Sequence, residues 1–436
     1  MKVVAKFGGS SLADARQFKK VKSIVERDKP LVVVPSAPGK AHQKDYKITD
    51  LLYMCHQLAE HGLNCDDVYQ LVENRYRAIV GDLNLDFDVE SMLADTKRAI
   101  TNGASKDYCA SRGEYMNGRI LAQYLGYAFV DAKDVIRIKD GQWDEAMTQQ
   151  LVSQKLVAQT PCVVPGFYGG NDADEVITFS RGGSDITGAI LAACIGADQY
   201  QNWTDVSGLL AVDPNIIADA KPMRQVSYKE LRELSYMGAM VLHEEAIFPV
   251  KERKIPIHIK NTNNPDAPGT MIVSSINRHN GVVTGIAGRK DFMVFSVEKA
   301  FLFEEAGFYR KLVSVFETNG ISIAHMPSGI DSISVIVAED DVRGKEKKVM
   351  KEIDIYCSPD AIDTSHQLAL IAVVGQGMVS TKGVAARIFK ALALGDVNIR
   401  MINQGASELS VIVGVENCDF ERAIAAIYQE FHEEEK

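Results

Sequence analysis

One pattern recurs through the first two-thirds of the chain: a short apolar segment, then a loop that carries glycine or aspartate, then a helical stretch. Residues 3–5 are followed by a glycine loop at 8–11, and residues 176–179 are followed by another at 181–185. Alternating strands and helices predict βαβ units and an open, mainly parallel sheet sandwiched by helices. Ligands of such sheets bind where the strands end. The pattern therefore predicts an α/β fold with a ligand site at the carboxyl edge of the sheet.

The last third of the chain repeats itself at an offset of 76 residues. Residues 334–337 and 410–413 both read Ser-Val-Ile-Val, and Gly307 aligns with Gly383 without a gap. Each copy predicts strand, helix, strand, strand and helix in that order. In the first copy, residues 353–357 are predicted to close the module as a further strand.

The second copy ends without a closing strand, and the apolar segment 282–287 is the candidate for it. The first module would then be an insertion within the second. We therefore predict one large α/β domain followed by two βαββαβ modules. Their predicted bounds are 1–281 for the large domain, 291–365 for the first module, and 282–290 with 366–436 for the second.

The composition is that of an ordinary globular protein, with 46% hydrophobic and 24% charged residues among 436. The formal net charge of −10 argues against a nucleic-acid binder, which would carry a basic domain. The seven cysteines form no C-x-x-C pair, and no apolar run approaches the ~18 residues of a membrane span. We expect a cytoplasmic protein that binds neither nucleic acid nor membrane.

Several well-known catalytic motifs are missing from the sequence, which contains no G-x-x-x-x-G-K-[ST], complete G-x-G-x-x-G, H-E-x-x-H or G-x-S-x-G. No histidine spacing indicates a metal site. The segment 6–11 reads Lys-Phe-Gly-Gly-Ser-Ser at a predicted strand end, and its glycines let backbone N–H groups approach an anion. Lys6 would stabilise charge on a transferring phosphoryl group. The alternative is a tight turn with an exposed lysine.

A second glycine loop, Arg-Gly-Gly-Ser-Asp at 181–185, again lies between a predicted strand and a predicted helix. Arginine suits bidentate recognition of a carboxylate, whereas Asp185 at a helix start is by itself explained as a cap. A third polar triplet, Thr-Asp-Val at 204–206, follows another predicted strand. Two anion-competent loops and two acidic loop residues on one sheet edge suggest that phosphate and carboxylate groups are handled together.

Glu114 follows Ser-Arg-Gly at 111–113, where a helix is predicted to begin and to continue over 115–124. A glutamate in a first helical turn is favoured by the helix dipole. Alternatively, Glu114 pairs with a substrate ammonium group. The sequence leaves both interpretations open.

Together these segments resemble the aspartate kinases of the amino acid kinase superfamily, and the C-terminal repeat resembles the tandem ACT modules of that family. The resemblance spans the chain and implies ATP-dependent phosphorylation of the aspartate β-carboxylate, the first step toward lysine, threonine and methionine. The matching stretches are KFGGSS (6–11), VVVPSAPGK (32–40), ITDLL (48–52), SRGE (111–114), PGFYGG (165–170), FSRGGSDITGAILA (179–192), WTDVSGLLAVDP (203–214) and LHEEAI (242–247).

The resemblance also implies roles for individual residues. Lys6 and Asp185 would be catalytic, and Mg²⁺ would be held by the phosphates of ATP without protein ligands. Substrate contacts are implied for Thr49, Glu114, Phe167, Arg181 and Ser184. Nucleotide contacts are implied for Gly8, Gly9, Ser10, Thr204, Asp205 and Asp213.

In the repeat, the resemblance implies feedback regulation through a pocket for an amino-acid effector at the helix that follows Gly307. Helix N–H groups would hold the effector carboxylate, and plain packing at a module interface is the alternative. Lysine is the first choice of effector, with threonine open because Ala324 stands where some lysine-sensing members carry an acidic residue. ACT modules often pair between chains, so a homodimer or a dimer of dimers is expected. The implied pocket residues are Gly307, Phe308, Tyr309, Ser322, Ile323 and Asp331.

Three positions depart from the family pattern on the nucleotide side. Leu210 replaces an aromatic residue, Asn215 replaces an arginine and Met240 replaces a lysine. We interpret these as altered adenine or phosphate contacts, not as lost activity. Two alternatives stay open: an amino acid kinase for glutamate or N-acetylglutamate, and a non-catalytic amino-acid sensor.

Overall fold

The computed structural model describes residues 1–180, 182–239, 242, 244–276 and 281–432. The chain forms two compact units. The first comprises Met1–Leu209, Pro222–Leu231 and Val241–Asn277, and the second comprises Leu210–Lys221, Arg232–Met240 and Arg278–Lys436. No helix in the described part of the chain has the length and apolar character that a membrane span requires.

The elements from β1 to β12 belong to the first unit, except that α9 continues past Leu231 into the second. They are β1 Val3–Phe7, α1 Ala15–Asp28, β2 Val32–Pro35, α2 Ile48–Glu60, α3 Asp66–Asp82, α4 Val89–Thr101, α5 Lys106–Leu125, β3 Ala128–Phe129, α6 Ala132–Val135, β4 Ile138–Lys139, β5 Gln142–Trp143, α7 Glu145–Leu151, β6 Cys162–Val163, β7 Tyr168–Gly170, β8 Val176–Thr178, α8 Gly183–Ile195, β9 Gln199–Thr204, β10 Gln225–Ser227, α9 Tyr228–Tyr236, α10 Glu244–Glu252, β11 Ile257–Asn261 and β12 Thr270–Val273.

The main sheet of this unit has eight strands in the order β10-β12-β11-β9-β1-β2-β6-β3. All neighbours pair in parallel except β11 and β12, so the predicted α/β fold with a mainly parallel sheet is confirmed. The adjacent strands β1 and β2 are mostly apolar, and every residue of both is buried, as in a parallel sheet covered on both faces. Lys6 is the only charged residue in β1, so the fold places a buried cation at the centre of the sheet edge.

The strand before the second glycine loop does not belong to the main sheet. β8 pairs antiparallel with β7 in a separate hairpin. The turn between them is stabilised by the side chain of Asn171, whose Oδ1 accepts hydrogen bonds from the N–H groups of Ala173 and Glu175. The expectation that both glycine loops end strands of one parallel sheet was therefore wrong, because this local turn pairs β8 with its sequence neighbour.

Helix α5 begins earlier than predicted. Ser105 caps it by accepting a hydrogen bond from the backbone N–H of Tyr108, and the helix ends at Gly126 with a left-handed φ of 68°. Glu114 consequently lies in the middle of a 20-residue helix. Its interpretation as a first-turn residue favoured by the helix dipole was wrong.

The second unit contains an antiparallel six-stranded sheet in the order β14-β15-β13-β16-β18-β17. Its helices α11 and α14 begin and end 76 residues apart, which places the two copies of the repeat in equivalent structures. The elements are β13 Gly285–Glu298, α11 Phe308–Thr318, β14 Ile323–His325, β15 Ser332–Ala338, α12 Glu339–Val342, α13 Glu346–Cys357, β16 Ala361–Val374, α14 Val384–Leu394, β17 Met401–Gln404, β18 Ser410–Glu416 and α15 Phe420–His432.

The two long strands β13 and β16 are shared by both copies of the repeat. Gly285–Ala287 pair with Ala372–Val374, which also pair with β18, whereas the other end of β13 pairs with β15. An inserted first module requires this pairing, because the start of β13 then belongs to the sheet of the second module. The exact domain bounds stay a prediction. The expected strand at 353–357 was wrong, because helix α13 continues to Cys357 and β16 supplies the closing strand.

Candidate active site

The carboxyl edge of the main sheet carries a buried polar cluster of Lys6, Asp185 and Asn202. Lys6 is 8% exposed, and its Nζ lies 2.7 Å from Asp185 Oδ1. Asn202 neighbours Lys6 across the β1–β9 pairing, and its Nδ2 donates to the same Asp185 oxygen at 2.8 Å. Its Oδ1 accepts from Lys6 Nζ at 3.4 Å. The cluster thus holds a lysine ammonium in a fixed place at the strand ends, where a transferring phosphoryl group would meet it.

Asp185 reaches Lys6 because of how α8 begins. Gly182 and Gly183 have φ values of 76° and 47°, which favour glycine and turn the chain sharply into the helix. The hydroxyl of Tyr200 donates to the backbone oxygen of Asp185 at 3.1 Å. A Cβ on Gly188 would lie 2.6 Å from the Tyr200 ring, so glycine is needed for this ring to pass beneath the helix. The sequence between 182 and 188 therefore positions the carboxylate.

The first glycine loop follows Lys6 directly. The N–H of Gly8 donates to the Trp203 oxygen at 2.9 Å, which joins the loop to the end of β9. A Cβ on Gly9 would lie 2.9 Å from the Ala37 oxygen, so the backbone approaches that of the next strand end. Gly8, Gly9 and Ser10 are all partly exposed. The loop leaves backbone at the sheet edge open to a ligand, as an anion-binding loop requires.

Glu114 lies on α5 and is 5% exposed. Burial raises the pKa of this carboxyl to about 8, opposed by the backbone N–H of Ala37 and the charge of Arg112. The Arg112 guanidinium is itself buried, 4.3 and 4.1 Å from the ring centroids of Tyr108 and Tyr115. Glu114 Oε2 has no hydrogen-bond partner. A buried acceptor without a partner is costly, so this oxygen is suited to accept a donor from a ligand.

The other implied substrate residues come from three segments of the first unit. Ser184 is buried beneath Gly166, where a Cβ would lie 2.3 Å from the serine hydroxyl oxygen. Phe167 has a φ of 78°, and its N–H donates to Thr187 Oγ1 at 2.9 Å. Thr49 is partly exposed in the first turn of α2. The structure thus brings Ser184 and Phe167 to the start of α8.

The nucleotide-side residues fall in different units. Thr204 ends β9, and its hydroxyl donates to exposed Asp205 at 3.1 Å. Asp213 lies in the second unit, where its Oδ1 accepts from both the backbone and the side-chain nitrogen of Asn215 at 2.9 Å. The role of Asp213 as a nucleotide contact stays a prediction.

Arg181 and Met240 lie outside the described residues. The carboxylate contact implied for Arg181 therefore stays a prediction. The same holds for the altered nucleotide contact inferred from Met240.

In the second unit, Gly307 precedes α11 with a φ of 88°, and Phe308 is buried in the core of the first repeat. The N–H of Phe308 already donates to the Glu305 oxygen at 3.2 Å. The Asp331 carboxylate accepts from the N–H of Phe301 at 2.9 Å. The buried side chain of Phe308 and its bonded N–H are therefore both engaged within the chain, and its role in an effector pocket stays a prediction. Side chains that are partly or wholly exposed belong to Tyr309, Ser322 and Ile323.

Sequence reasoning missed Asn202 and Tyr200, which hydrogen-bond to Asp185, and the buried Asn117 on α5. The first two lie in β9, which reads Gln-Tyr-Gln-Asn-Trp-Thr. Polar residues in a strand buried on both faces were the available signal. Asn117 follows Glu114 by three residues on α5, and only its complete burial distinguishes it.

Two family models match the chain: the amino acid kinase family over residues 1–261 and an ACT domain over residues 371–431. Aspartokinase 3 of Bacillus subtilis is 38% identical over 448 residues, which cover 99% of this chain and 98% of that protein. Chloroplastic aspartokinase 1 of Arabidopsis thaliana is 28% identical and covers 99% of this chain, which spans 80% of that protein.

Solved structures give the same result. The aspartate kinase of Clostridium acetobutylicum has 53% sequence identity and a TM-score of 0.94, and the match covers 99% of this chain and 100% of that one. Aspartokinase III of Escherichia coli, solved with aspartate and ADP, has 24% identity and a TM-score of 0.73 over 99% of both chains. The second match supports the fold alone.

Proposed function

The chain belongs to the aspartokinases of the amino acid kinase family, and from this premise we propose that Lys6, Asp185 and Glu114 carry the ATP-dependent phosphorylation of L-aspartate on its β-carboxylate. The 2.7 Å contact between Lys6 and Asp185 at the sheet edge is the observation on which this assignment depends. A decayed, non-catalytic kinase domain would have no reason to keep a buried lysine paired in this way.

The reaction needs little acid–base chemistry from the protein. The β-carboxylate of aspartate is already ionised at neutral pH and attacks the γ-phosphorus directly, with ADP as the leaving group. Lys6 stabilises the negative charge on the transferring phosphoryl group, and Asp185 with Asn202 keeps the ammonium aimed at it. The glycine loop at 8–10 holds phosphate oxygens through its backbone.

Aspartate recognition is assigned to five residues of the first two-thirds of the chain. Glu114 Oε2 accepts a hydrogen bond from the α-ammonium, and Arg181 holds the α-carboxylate by a bidentate contact. Thr49, Phe167 and Ser184 position the substrate between them. A substrate ammonium supplies the donor that buried Glu114 lacks.

Nucleotide contacts are assigned to Thr204, Asp205 and Asp213. Mg²⁺ would be held mainly by ATP phosphates, since the described residues bring no three His, Cys, Asp or Glu side chains together as a metal site. Bound in this way it would neutralise phosphate charge.

Regulation is assigned to the C-terminal repeat. We propose that its two ACT modules are 291–365 and the combination of 282–290 with 366–436. We further propose that these modules form a homodimer or a dimer of dimers, and that lysine is the effector. The pocket comprises the start of α11, Ser322, Ile323 and Asp331. A cytoplasmic location fits the substrates and the seven free cysteines, six of which are buried.

The test is formation of aspartyl phosphate, trapped with hydroxylamine as the hydroxamate. The purified protein should give product that depends on both ATP and L-aspartate, with lower turnover on glutamate and N-acetylglutamate. Titration with lysine and, separately, threonine identifies the effector. Faster turnover with glutamate than with aspartate would overturn the substrate assignment, and inhibition by threonine alone would overturn lysine.

A further inference from the structure

The face of α5 that carries Glu114 holds a second unusual polar residue. Asn117 lies one helical turn further on, so the two side chains share a face of the helix. Asn117 is 0% exposed. Its Nδ2 donates to the backbone oxygen of Ser36 at 2.6 Å, and its Oδ1 has no partner. The contact fixes the orientation of the amide, because only the NH₂ group can donate to a carbonyl.

Asn117 and Glu114 act on one and the same peptide group. The peptide that joins Ser36 to Ala37 presents its C=O to Asn117 Nδ2, and its N–H lowers the pKa of the Glu114 carboxyl against burial. The N–H of Ser36 is itself bonded to the Phe7 oxygen at 3.0 Å, directly after Lys6. Ser36, whose C=O begins the peptide to Ala37, is therefore held from β1 through its N–H and from α5 through its C=O.

The helix approaches this peptide unusually closely. A Cβ on Gly113 would lie 2.7 Å from the Ala37 methyl carbon, so any larger residue at 113 would push α5 away from the end of β2. Gly113, Glu114 and Asn117 thus form one contact surface against Ser36 and Ala37. Because Gly113 has no side chain, α5 lies close enough for the Glu114 carboxyl and the Asn117 amide to face the backbone of Ser36 and Ala37.

We propose that Asn117 is a positioning residue for aspartate recognition: it holds the Ser36–Ala37 peptide so that this peptide orients the Glu114 carboxylate and leaves one oxygen for the substrate ammonium. The inference depends on the proposed role of Glu114. Asn117 acts through Glu114 and not on the phosphoryl group, so its loss should weaken aspartate use and leave ATP use unchanged.

The surroundings of Glu114 predict how the pH dependence of aspartate use should change when Asn117 is replaced. The Ala37 N–H and the charge of Arg112 both lower the pKa of Glu114 against its burial. The other titratable groups near this carboxyl are Tyr53 on α2 and Tyr76 on α3, both with pKa values raised in part by Glu114. Asp50 and Asp107 share the surroundings of Tyr53. A loosened Ala37 peptide should therefore move the pH dependence of aspartate use to higher pH.

The experiment compares Asn117→Leu, which keeps the shape and removes the donor, with Thr96→Val. Thr96 is buried on α4, donates to the Met92 oxygen and contacts Met116 of α5, so its variant matches the loss of a buried hydrogen bond without touching the Ser36–Ala37 peptide. For Asn117→Leu we expect the aspartate KM to rise about tenfold, with the ATP KM and kcat within about threefold of wild type. The acidic limb of kcat/KM for aspartate should shift to higher pH. Thr96→Val should shift neither.

A double-mutant cycle with Glu114→Gln tests whether Asn117 works through Glu114. In the Glu114→Gln background, Asn117→Leu should have no further effect on the aspartate KM. Additive effects, an unmoved pH limb, or equal losses toward ATP and aspartate would overturn the positioning role. If Glu114→Gln alone leaves the aspartate KM unchanged, the proposed role of Glu114 fails and with it this inference. Asn117→Ser, which leaves room for a water at the Ser36 carbonyl, replaces the leucine variant if that does not fold.

Discussion

Lys6 and Glu114 are both charged residues buried in the first unit, but their surroundings differ. Lys6 has its counter-charge within the chain, since Asp185 lies 2.7 Å away. Glu114 Oε2 has no partner, and burial holds the pKa of that carboxyl near 8. A buried charge is tolerated when it is paired and is costly when it is not. The difference shows that the phosphoryl-transfer end of the site is formed in advance, whereas the proposed ammonium end is completed by its ligand.

The largest expected effect comes from Lys6→Met. It removes a charge aimed at the transferring phosphoryl group and leaves aspartate recognition intact, so kcat should fall by about 10²–10³-fold with the aspartate KM little changed. Steady-state hydroxamate assays measure both. Lys260→Met is the control, because Lys260 lies on nearby β11, pairs with Asp28 at 3.7 Å and should leave kcat within about twofold. A near-normal kcat for Lys6→Met would contradict the assignment of Lys6 to the preformed phosphoryl-transfer end of the site.

Glu114→Gln tests the ligand-completed end. Loss of the carboxylate should raise the aspartate KM about 10- to 100-fold, because a hydrogen bond to a charged group is lost. In the wild type, kcat/KM for aspartate should rise with pH as Glu114 ionises near pH 8, and this limb should be absent from the variant. Rate profiles from pH 6 to 9 provide the measurement, and an unchanged limb in the variant would assign it to another group.

Glu114→Gln should raise the stability of the ligand-free protein although it lowers activity toward aspartate. The folded pKa of Glu114 is raised from 4.5 to about 8, so between these values the folded chain binds more protons than the unfolded chain. The Glu114 contribution to stability therefore falls as pH rises from 4.5 to 8 and stays low above it. Glutamine cannot ionise, so the ligand-free variant should have a higher Tm than the wild type at pH 8 and a smaller difference at pH 5. Scanning calorimetry checks this, and parallel Tm curves would contradict it.

The smallest expected effect is that of Tyr200→Phe on the preformed end. The change removes the hydrogen bond to the Asp185 backbone and keeps the ring beneath Gly188, so Asp185 should stay in place with less restraint. We expect kcat to fall about two- to fivefold with no change in the pH limb assigned to Glu114. Parallel kinetic assays of this variant and Glu114→Gln separate the two ends, and a moved pH limb in Tyr200→Phe would show that they are coupled.

Local sequence patterns predicted much of the fold and of the candidate site. The glycine loops marked both ends of the Lys6–Asp185 pair, and the offset of 76 residues matched α11 to α14 at both termini. The errors had local causes. The Asn171 turn took β8 out of the main sheet, and the Ser105 cap started α5 five residues before the Ser-Arg-Gly-Glu segment. Turns and caps depend on single side chains that periodicity does not detect.

The α/β class, the repeated C-terminal modules and the residue types of the site follow from the order of amino acids alone, because hydrophobic periodicity and glycine positions can be seen along the chain. Which charged groups come into contact depends instead on the folded chain. Lys6 and Asp185 are 179 positions apart in the sequence, and nothing between them indicates a 2.7 Å contact. Glu114 and Asn117 likewise acquire their meaning from a peptide at Ser36–Ala37, far away in the chain. Packing sets both pairing and burial, and these fix what a charged group can do.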